Sequence, residues 1–461
     1  SKGERFDQWE QLATGKISIC IGVRSAIFAP LKKIGLIVVD EEHDGSYKQE
    51  SSLHYNARDL AMVRGRQNQA TVVLGSATPS IQSYYNAISR KYIEIPLHQR
   101  VKKRPLPEIE IVDLTKDKEL TGVRRFITPQ LYHAMQSTLT KGEQILLFLN
   151  RRGFANFPIC KDCGEALKCK NCDISLTLHK SINGFKCHFC GYTCAATVPC
   201  SNCNSTRIRY LGIGTEKIET TIKQMFPKAN VARMDRDTMN RKGVLLKTLK
   251  ELKNGSIQIL IGTQMVAKGH DFPNITLVGI ICADLSLNFP DFRAGERTFQ
   301  LLAQVAGRTG RGNTPGRVIL QSYQTDHFSI TAAQSQNFRE FYAQEVPFRK
   351  ALKYPPFSRM IQIRITSHDK KLAETHTQSI SRRCHDLKAS DHEFKTKLEI
   401  LGPIEAPLFR IAGNYRFQMI LKCEQSVLLH RFTRKVFFND GKFKRPGKVK
   451  VDIDVDPYFM L

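Results

Sequence analysis

Eight cysteines fall within 44 residues as four CxxC pairs: Cys160/Cys163, Cys169/Cys172, Cys187/Cys190 and Cys200/Cys203. A CxxC turn lets two thiolates converge on one ion, and zinc takes four such ligands in a tetrahedron. Four pairs therefore predict two structural Cys₄ sites. Only five residues separate Cys163 from Cys169, which is tight for a turn that closes a site between sequence neighbours. The two inner pairs stand 14 residues apart, close to the spacing of a zinc ribbon. Nesting is the expected arrangement: Cys169, Cys172, Cys187 and Cys190 around one ion, with Cys160, Cys163, Cys200 and Cys203 around the second. A crossed brace is the alternative topology, and disulfides or free core thiols are the alternative chemistry. His188 and Cys194 lie inside the cluster as bystanders.

The cluster interrupts an α/β pattern. Before it, QILLFLN (144–150) reads as a buried strand; after it, GIGTEKIETTIKQMF (212–226) reads as a turn and amphipathic helix. A metal-binding insertion, expected to protrude as a separate knuckle, thus divides one domain over 128–157 and 206–330, itself occupying 158–205. The strands of that domain are QILLFLN, VARMD (231–235), IQILIGT (257–263), ITLVGIICAD (275–284) and GRVILQSY (316–323), with a helix over 296–306. Residues 1–100 carry three further apolar runs rich in β-branched residues: ISICIGV (17–23), IGLIVVD (34–40) and TVVLGSA (71–77). Such runs are typical of parallel strands buried on both faces. Charge and proline around VKKRPLP predict a linker over 101–127. From 334 to 461 the runs alternate apolar and polar, at RMIQIRIT (359–366), FQMILKC (417–423) and KVKVDIDVD (448–456). With helical stretches at 369–389 and 424–438, this predicts a small α+β domain with helices on one face of a sheet.

At 461 residues the chain is too long for one core. Its formal charge of +27, from 70 basic and 43 acidic side chains, makes a polyanion the natural partner, nucleic acid first. Thirteen cysteines, eight of them committed to metal, fit a reducing compartment. With no signal peptide and no apolar run of 18 residues, the expected location is the cytoplasm, with no membrane partner. A thioredoxin-like use of the CxxC pairs lacks the βαβ context it needs.

Asp40-Glu41-Glu42-His43 closes the strand IGLIVVD, at the strand end where open α/β sheets bind ligands. An Asp there can hold Mg²⁺, and the next Glu can orient a water for attack on a γ-phosphate. GSATPS (75–80) follows the next strand, and GTQMVAKGHDFPNI (262–275) follows a strand of the second unit. QVAGRTGRG (304–312) places Arg308 and Arg311 three residues apart, a spacing that would put both guanidiniums on one helical face, able to reach across a cleft.

In this order the motifs resemble superfamily 2 helicases, with DEEH as motif II, SAT as motif III, IGTQMVAKGHDF as motif V and QVAGRTGRG as motif VI. The cysteines, LFLNRRGFA (147–155), GTEKIE (214–219), IGVRSAIFAP (21–30), DEEHDGSYKQE (40–50), YNARDLA (55–61) and GPIEAPLFRIAGNYRFQ (402–418) are similar to the PriA family of primosomal replication-restart helicases. The resemblance runs the whole chain, up to VDIDVDP (451–457). It implies two RecA-like lobes, the first incomplete, a two-zinc insertion in the second, and a small α+β C-terminal domain.

It also implies an ATP-dependent 3′→5′ DNA helicase that acts at stalled forks and D-loops and promotes reloading of the replicative helicase. Asp40 would bind Mg²⁺ and Glu41 would activate water. Arg308 and Arg311 would sense the γ-phosphate, with Gly269 and Asp271 beside the nucleotide. Arg24, Ser25 and Thr263 match positions that touch the DNA backbone. Tyr47, Lys48, Tyr55 and Arg58 match an aromatic-rich loop that couples DNA binding to hydrolysis. In that loop aromatics could stack on bases while Lys48 and Arg58 neutralise phosphates. For Tyr47 and Tyr55, core packing is the competing role. The implied partners are DNA, the acidic C-terminal tail of single-stranded DNA-binding protein, and primosome proteins such as PriB and DnaT leading to DnaB, with the chain itself a monomer. Two departures stand out. No GxxxxGK[ST] string occurs anywhere in the sequence. The family's phosphate loop is expected before Ser1, together with a fork-binding domain and a winged helix, and the chain as given is expected to bind DNA without hydrolysing ATP. Asn414 also stands where relatives place an Arg in the tail-binding pocket, although Tyr415, Arg416 and Gln418 remain.

Overall fold

A computed structural model describes all residues except 1, 52, 98, 100–105, 117–123, 151–156, 180–181, 212–213, 240–242, 267–271, 311–314, 440–441, 444–446 and 461. The second α/β unit is built on a six-stranded, wholly parallel sheet. Its order is Val231–Met234, Ile259–Gly262, Gln144–Phe148, Ile275–Ile280, Arg317–Ser322 and Glu108–Asp113. Successive side chains of a strand point to opposite faces. Leu146, Phe148, Leu260, Val278 and Leu320 accordingly join one core, while Ile145, Leu147, Ile259, Leu277 and Ile319 join the core on the other face. Burial on both faces is why these runs read as continuous apolar segments rather than as alternation.

Glu108–Asp113 corrects the linker reading of 101–127. It pairs along its whole length with Arg317–Ser322 as the edge strand. Its alternating EIEIVD pattern is that of a strand with one side open, and charge hid it. The helix Pro129–Thr140 then starts on a Thr128 side-chain cap with Pro at its first turn.

Two parallel strands, Leu36–Val39 and Thr71–Leu74, make the sheet of the first unit, joined through the helix Ala57–Asn68. That helix lies so close to the sheet that a Cβ on Gly65 would collide with Val72. Residues 17–23, expected to be a strand, form none. A β-branched run becomes a strand only where a neighbour takes its backbone hydrogen bonds, and no described strand pairs with it. Ile21 is 96% exposed, and Leu36 and Val38 are 59% and 60% exposed.

An antiparallel pair, Phe157–Cys160 with Ile208–Leu211, forms the stalk of the cysteine-rich insertion. Beyond it Thr177–His179, Gly184–Lys186 and Thr193–Ala195 make a three-stranded sheet. The insertion does not protrude freely. Leu167, Ile174, Leu176, Phe185 and Phe189 share one apolar cluster with Tyr354, Met360 and Ile420 of the C-terminal region.

That region contains a four-stranded antiparallel sheet in the order Leu398–Ile411, Asn414–Cys423, Arg359–Ser367, Lys450–Val455. Ile363, Ile365, Met419 and Leu421 pack with Leu429 and Phe432 of the helix Ser426–Phe437 in one core, which the helix Lys370–Ser390 joins through Cys384. Its start also needs correcting. Within 334–461, the helix Phe338–Ala351 belongs to the preceding lobe, where Phe341 stacks on Phe299 with centroids 4.7 Å apart. Among the described residues, no helix is long and apolar enough to cross a membrane.

Candidate metal centres and nucleotide cleft

The cysteines gather into the two nested groups, Cys160, Cys163, Cys200 and Cys203, and Cys169, Cys172, Cys187 and Cys190. Within each group the four Sγ atoms lie within 4.8 Å of one another. Cys160–Cys203, Cys163–Cys200 and Cys169–Cys190 approach to 3.5, 3.6 and 3.6 Å. Tetrahedral zinc with Zn–S bonds of about 2.3 Å needs sulfurs about 3.8 Å apart, so the donor sets fit. This nesting excludes the crossed brace.

The backbone explains how short turns achieve it. After each second cysteine comes a residue in the left-handed region: Gly164 (φ +75°), Asp173 (+52°), Gly191 (+82°) and Asn204 (+56°). Each donates its N–H to the carbonyl of the first cysteine, at 3.1, 2.9, 3.1 and 2.9 Å. Gly, Asp and Asn tolerate this conformation best. The fourfold Cys-x-x-Cys-(Gly/Asp/Asn) repeat is thus a signal of these turns that is legible in the sequence. Burial pushes the Cys160 thiol up, but N–H groups of Cys163 and Asp162 and the neighbouring Cys203 bring it down to about 7, toward the thiolate a metal requires. His188 and Cys194 stand outside both groups. His188 instead bridges to the carbonyl of Glu405 at 3.0 Å.

The cleft lies where the first strand ends. Asp40 is exposed, and its Oδ1 accepts the N–H of Glu41 at 2.9 Å. Glu41 sits at φ +47°, a sparsely populated conformation of the kind that gathers at functional sites. The following Glu42 turns inward. Its carboxylate accepts from the Ser80 amide (2.6 Å), the Ser83 hydroxyl (2.8 Å) and Arg58 (3.2 Å). His43 bonds through Nδ1 to the Ser76 hydroxyl at 2.7 Å and through Nε2 to the Gln304 amide at 2.8 Å. Accepting from the Gln304 amide leaves Nδ1 as the protonated nitrogen, an assignment that follows from the hydrogen-bond network.

Gln304 belongs to the helix Ala294–Ala306, and two more of its residues reach across. Glu296 accepts the Ile81 amide at 2.8 Å, and Gln300 donates to the carbonyl of Thr78 at 3.3 Å. Positions 296, 300 and 304 share one helical face. The i, i+4, i+8 spacing of these polar residues is visible in the sequence, but their partners could not be read from it. Behind Glu296 lies a buried trio: Arg349 donates to Glu296 and to Glu345, both at 2.8 Å.

The helix stops at Ala306, so Arg308 occupies the turn beyond it, largely buried, rather than a helical face. Arg311, Gly269 and Asp271 lie outside the described residues. Thr263 is buried and donates its N–H to the Met234 carbonyl. Arg24 donates to the carbonyls of Ser46 and Lys48 at 3.1 and 2.7 Å, beside an exposed Ser25. The Tyr47 hydroxyl donates to the Asp40 carbonyl at 2.6 Å, and Tyr55 meets Phe28 edge-on at 5.0 Å; both tyrosines are half-buried.

Two basic residues expected to face phosphates are turned inside. Lys48, 4% exposed, pairs with Asp454 at 2.6 Å and donates to the Val455 carbonyl at 2.8 Å. Arg58 is spent on Glu42 and Asp59. In the sheet behind, Gln418 is fully buried and donates to the His188 carbonyl at 2.8 Å, so it is not open to an acidic tail. Burial, aided by the neighbouring Arg364, lowers Arg416 to about 10.

Residues 350–458 match the primosomal protein N C-terminal domain, residues 169–194 the PriA DNA helicase Cys-rich region, and residues 203–313 the helicase conserved C-terminal domain. Replication restart protein PriA of Bacillus subtilis (strain 168) is 39% identical over 461 residues, covering 100% of this chain and 56% of that protein. The PriA of Synechocystis sp. is 40% identical over 99% of this chain and 55% of its own length. That of Treponema pallidum is 38% identical over 100% of this chain and 68% of its own length. The chain thus spans little more than half of the first two relatives. It belongs to the replication restart protein PriA family.

Proposed function

We propose that the complete protein is an ATP-dependent 3′→5′ DNA helicase of replication restart, for which this chain supplies most of the cleft. The observation that carries this reading is the cross-lobe face of Glu296, Gln300 and Gln304, bonded to the Ile81 amide, the Thr78 carbonyl and His43. It ties the turn that holds Asp40 and Glu41 to the helix that leads to Arg308. In this reading the exposed Asp40 carboxylate holds Mg²⁺, and Glu41 orients the attacking water. Arg308 and Arg311 balance charge on the γ-phosphate, and Gly269 and Asp271 line the nucleotide. Arg24, Ser25, Thr263, Tyr47 and Tyr55 face DNA. Stalled forks, D-loops, single-stranded DNA-binding protein, PriB, DnaT and DnaB are its proposed targets and partners, and zinc serves folding.

With no GxxxxGK[ST] string to cradle the β- and γ-phosphates, this chain alone binds DNA without turnover. Steady-state ATP hydrolysis with single-stranded DNA tests this, comparing the chain with a version extended upstream. The extended protein should hydrolyse ATP, while its Glu41→Gln variant should bind ATP without turnover and Arg311→Ala should stop turnover. Robust hydrolysis by the chain alone would refute the role given to the phosphate loop. An inactive extended protein would favour a non-catalytic DNA- and partner-binding zinc module. DNA affinity should fall about three decades between roughly 50 and 200 mM salt if about six phosphates are neutralised.

A further inference from the structure

After the last strand of the C-terminal sheet, Lys450–Val455, the chain crosses back to the first lobe. There it meets the turn that follows Asp40 and Glu41. The Tyr458 hydroxyl donates to the carbonyl of His43 at 2.9 Å. Its ring lies against Gly45 so closely that any Cβ at position 45 would overlap it. Only glycine allows that approach. Three residues later Lys48 grips the same segment through Asp454 and the carbonyls of Val455 and Asp456.

The segment is held equally firmly from the second lobe. Arg293 donates to the Pro457 carbonyl at 2.8 Å, and Arg297 donates to the Tyr458 carbonyl. The Arg297 guanidinium also lies over the rings of Tyr458 and Phe459, 4.8 and 4.6 Å from their centroids, a cation–π geometry. Arg297 is in turn oriented by Asp291 at 2.9 Å. Residues 454–459 therefore touch the loop 43–48 on one side and the start of the 294–306 helix on the other. That helix is the one whose Gln304 holds His43 by its ring. His43 is thus fixed at both ends, by Ser76 and Gln304 at the imidazole and by Tyr458 at the backbone.

We infer that residues 454–459 are a brace through which the C-terminal sheet sets the Asp40–Glu41 turn, with Tyr458 as a positioning residue for ATP hydrolysis. The inference rests on the helicase reading of that turn. Glu41 is held in a left-handed conformation that local sequence does not favour, so a bond two residues on has leverage over the direction of its carboxylate. Tyr458 touches no reacting atom; it acts through the backbone of His43.

The test uses the complete protein with its phosphate loop. Tyr458→Phe keeps the ring against Gly45 and Arg297 but removes the hydroxyl, so pure packing would leave it silent. It should lower kcat for DNA-stimulated ATP hydrolysis about three- to tenfold, the worth of one hydrogen bond, with KM for ATP within about twofold. Hydrogen exchange at residues 40–48 should quicken in the same variant. Lys48→Met releases the segment by a different bond and should do both as well. Wild-type kcat in Tyr458→Phe, or slowed turnover with exchange at 40–48 unchanged, overturns the inference. A wild-type complete protein that fails to hydrolyse ATP with single-stranded DNA sinks the helicase reading, and the positioning role of Tyr458 in hydrolysis with it. Exchange in the two variants then still decides whether the brace exists.

Discussion

The two Cys₄ groups use the same ligands and the same knuckle backbone, yet their surroundings differ. Cys169, Cys172 and Cys187 are buried and Cys190 partly so, in a cluster that includes Phe185, Phe189, Tyr354 and Ile420. In the other group Cys203 is exposed and Cys163 half-buried, where the stalk meets the lobe through Gly164 and Gln324. Metal chemistry alone would make the sites equivalent. The shell around the ligands makes one a joint between the insertion and the C-terminal sheet, and the other a clasp on its stalk.

Cys172→Ser should have the largest effect. A structural zinc contributes on the order of 10 kcal/mol to folding, and at this site that energy also supports the shared apolar cluster. Metal analysis should find one zinc where the parent has two. Hydrogen exchange should quicken in 165–196 and spread into strands 359–367 and 414–423, while 144–148 and 259–262 stay protected. Loss of both ions, or of protection in the lobe sheet, would mean that the sites are not separable.

Cys203→Ser sharpens the contrast. It should also cost one zinc, but with faster exchange confined to 157–164 and 200–211. Spread into the C-terminal sheet would show that the clasp carries as much structure as the joint. Less drastic is chelation of the unmodified protein at neutral pH, followed with a zinc-sensitive dye. Release should be biphasic, the exposed group emptying first, since a chelator reaches Cys203 more readily than the buried thiolates. A single phase would erase the distinction. The smallest effect belongs to Tyr354→Phe. It removes an O–H donated to the Cys172 carbonyl at 3.1 Å and should lower stability by about 1 kcal/mol with both ions retained. An unchanged thermal midpoint would show that Tyr354 contributes to the joint through its ring and not its hydroxyl.

What could be read from the sequence follows the range of the interactions involved. The sheet strands at 144–148, 259–262 and 275–280 were legible because burial on both faces leaves an unbroken apolar run. Nesting of the cysteines was legible because ligand spacing is local. The edge strand Glu108–Asp113 was not, since half of its surface is charged and its neighbour is more than 200 residues away. Ile17 to Val23 misled for the opposite reason: composition suited a strand, but pairing depends on a neighbour. Lys48 and Arg58 were misjudged for a related reason. A basic residue in a loop looks free until its carboxylate is found, and for Lys48 that is Asp454, at the other end of the chain.

The trio of Glu296, Arg349 and Glu345 also has a charge balance to meet. One guanidinium faces two carboxylates, all of them buried. Burial pushes Glu345 up despite its bond to Arg349. Burial also pushes Glu296 up, but Arg349 and the Ile81 amide outweigh it and hold that carboxyl down. Within one buried trio the two carboxyls are therefore shifted in opposite directions, Glu345 toward the protonated form and Glu296 toward the ionised one. The carboxyl held toward the ionised form is the one that faces the first lobe, where it accepts the Ile81 amide. Drawing the lobes apart would take the Ile81 amide from that carboxylate. The opposite shifts within the trio thereby strengthen the one bond of the three that crosses the cleft.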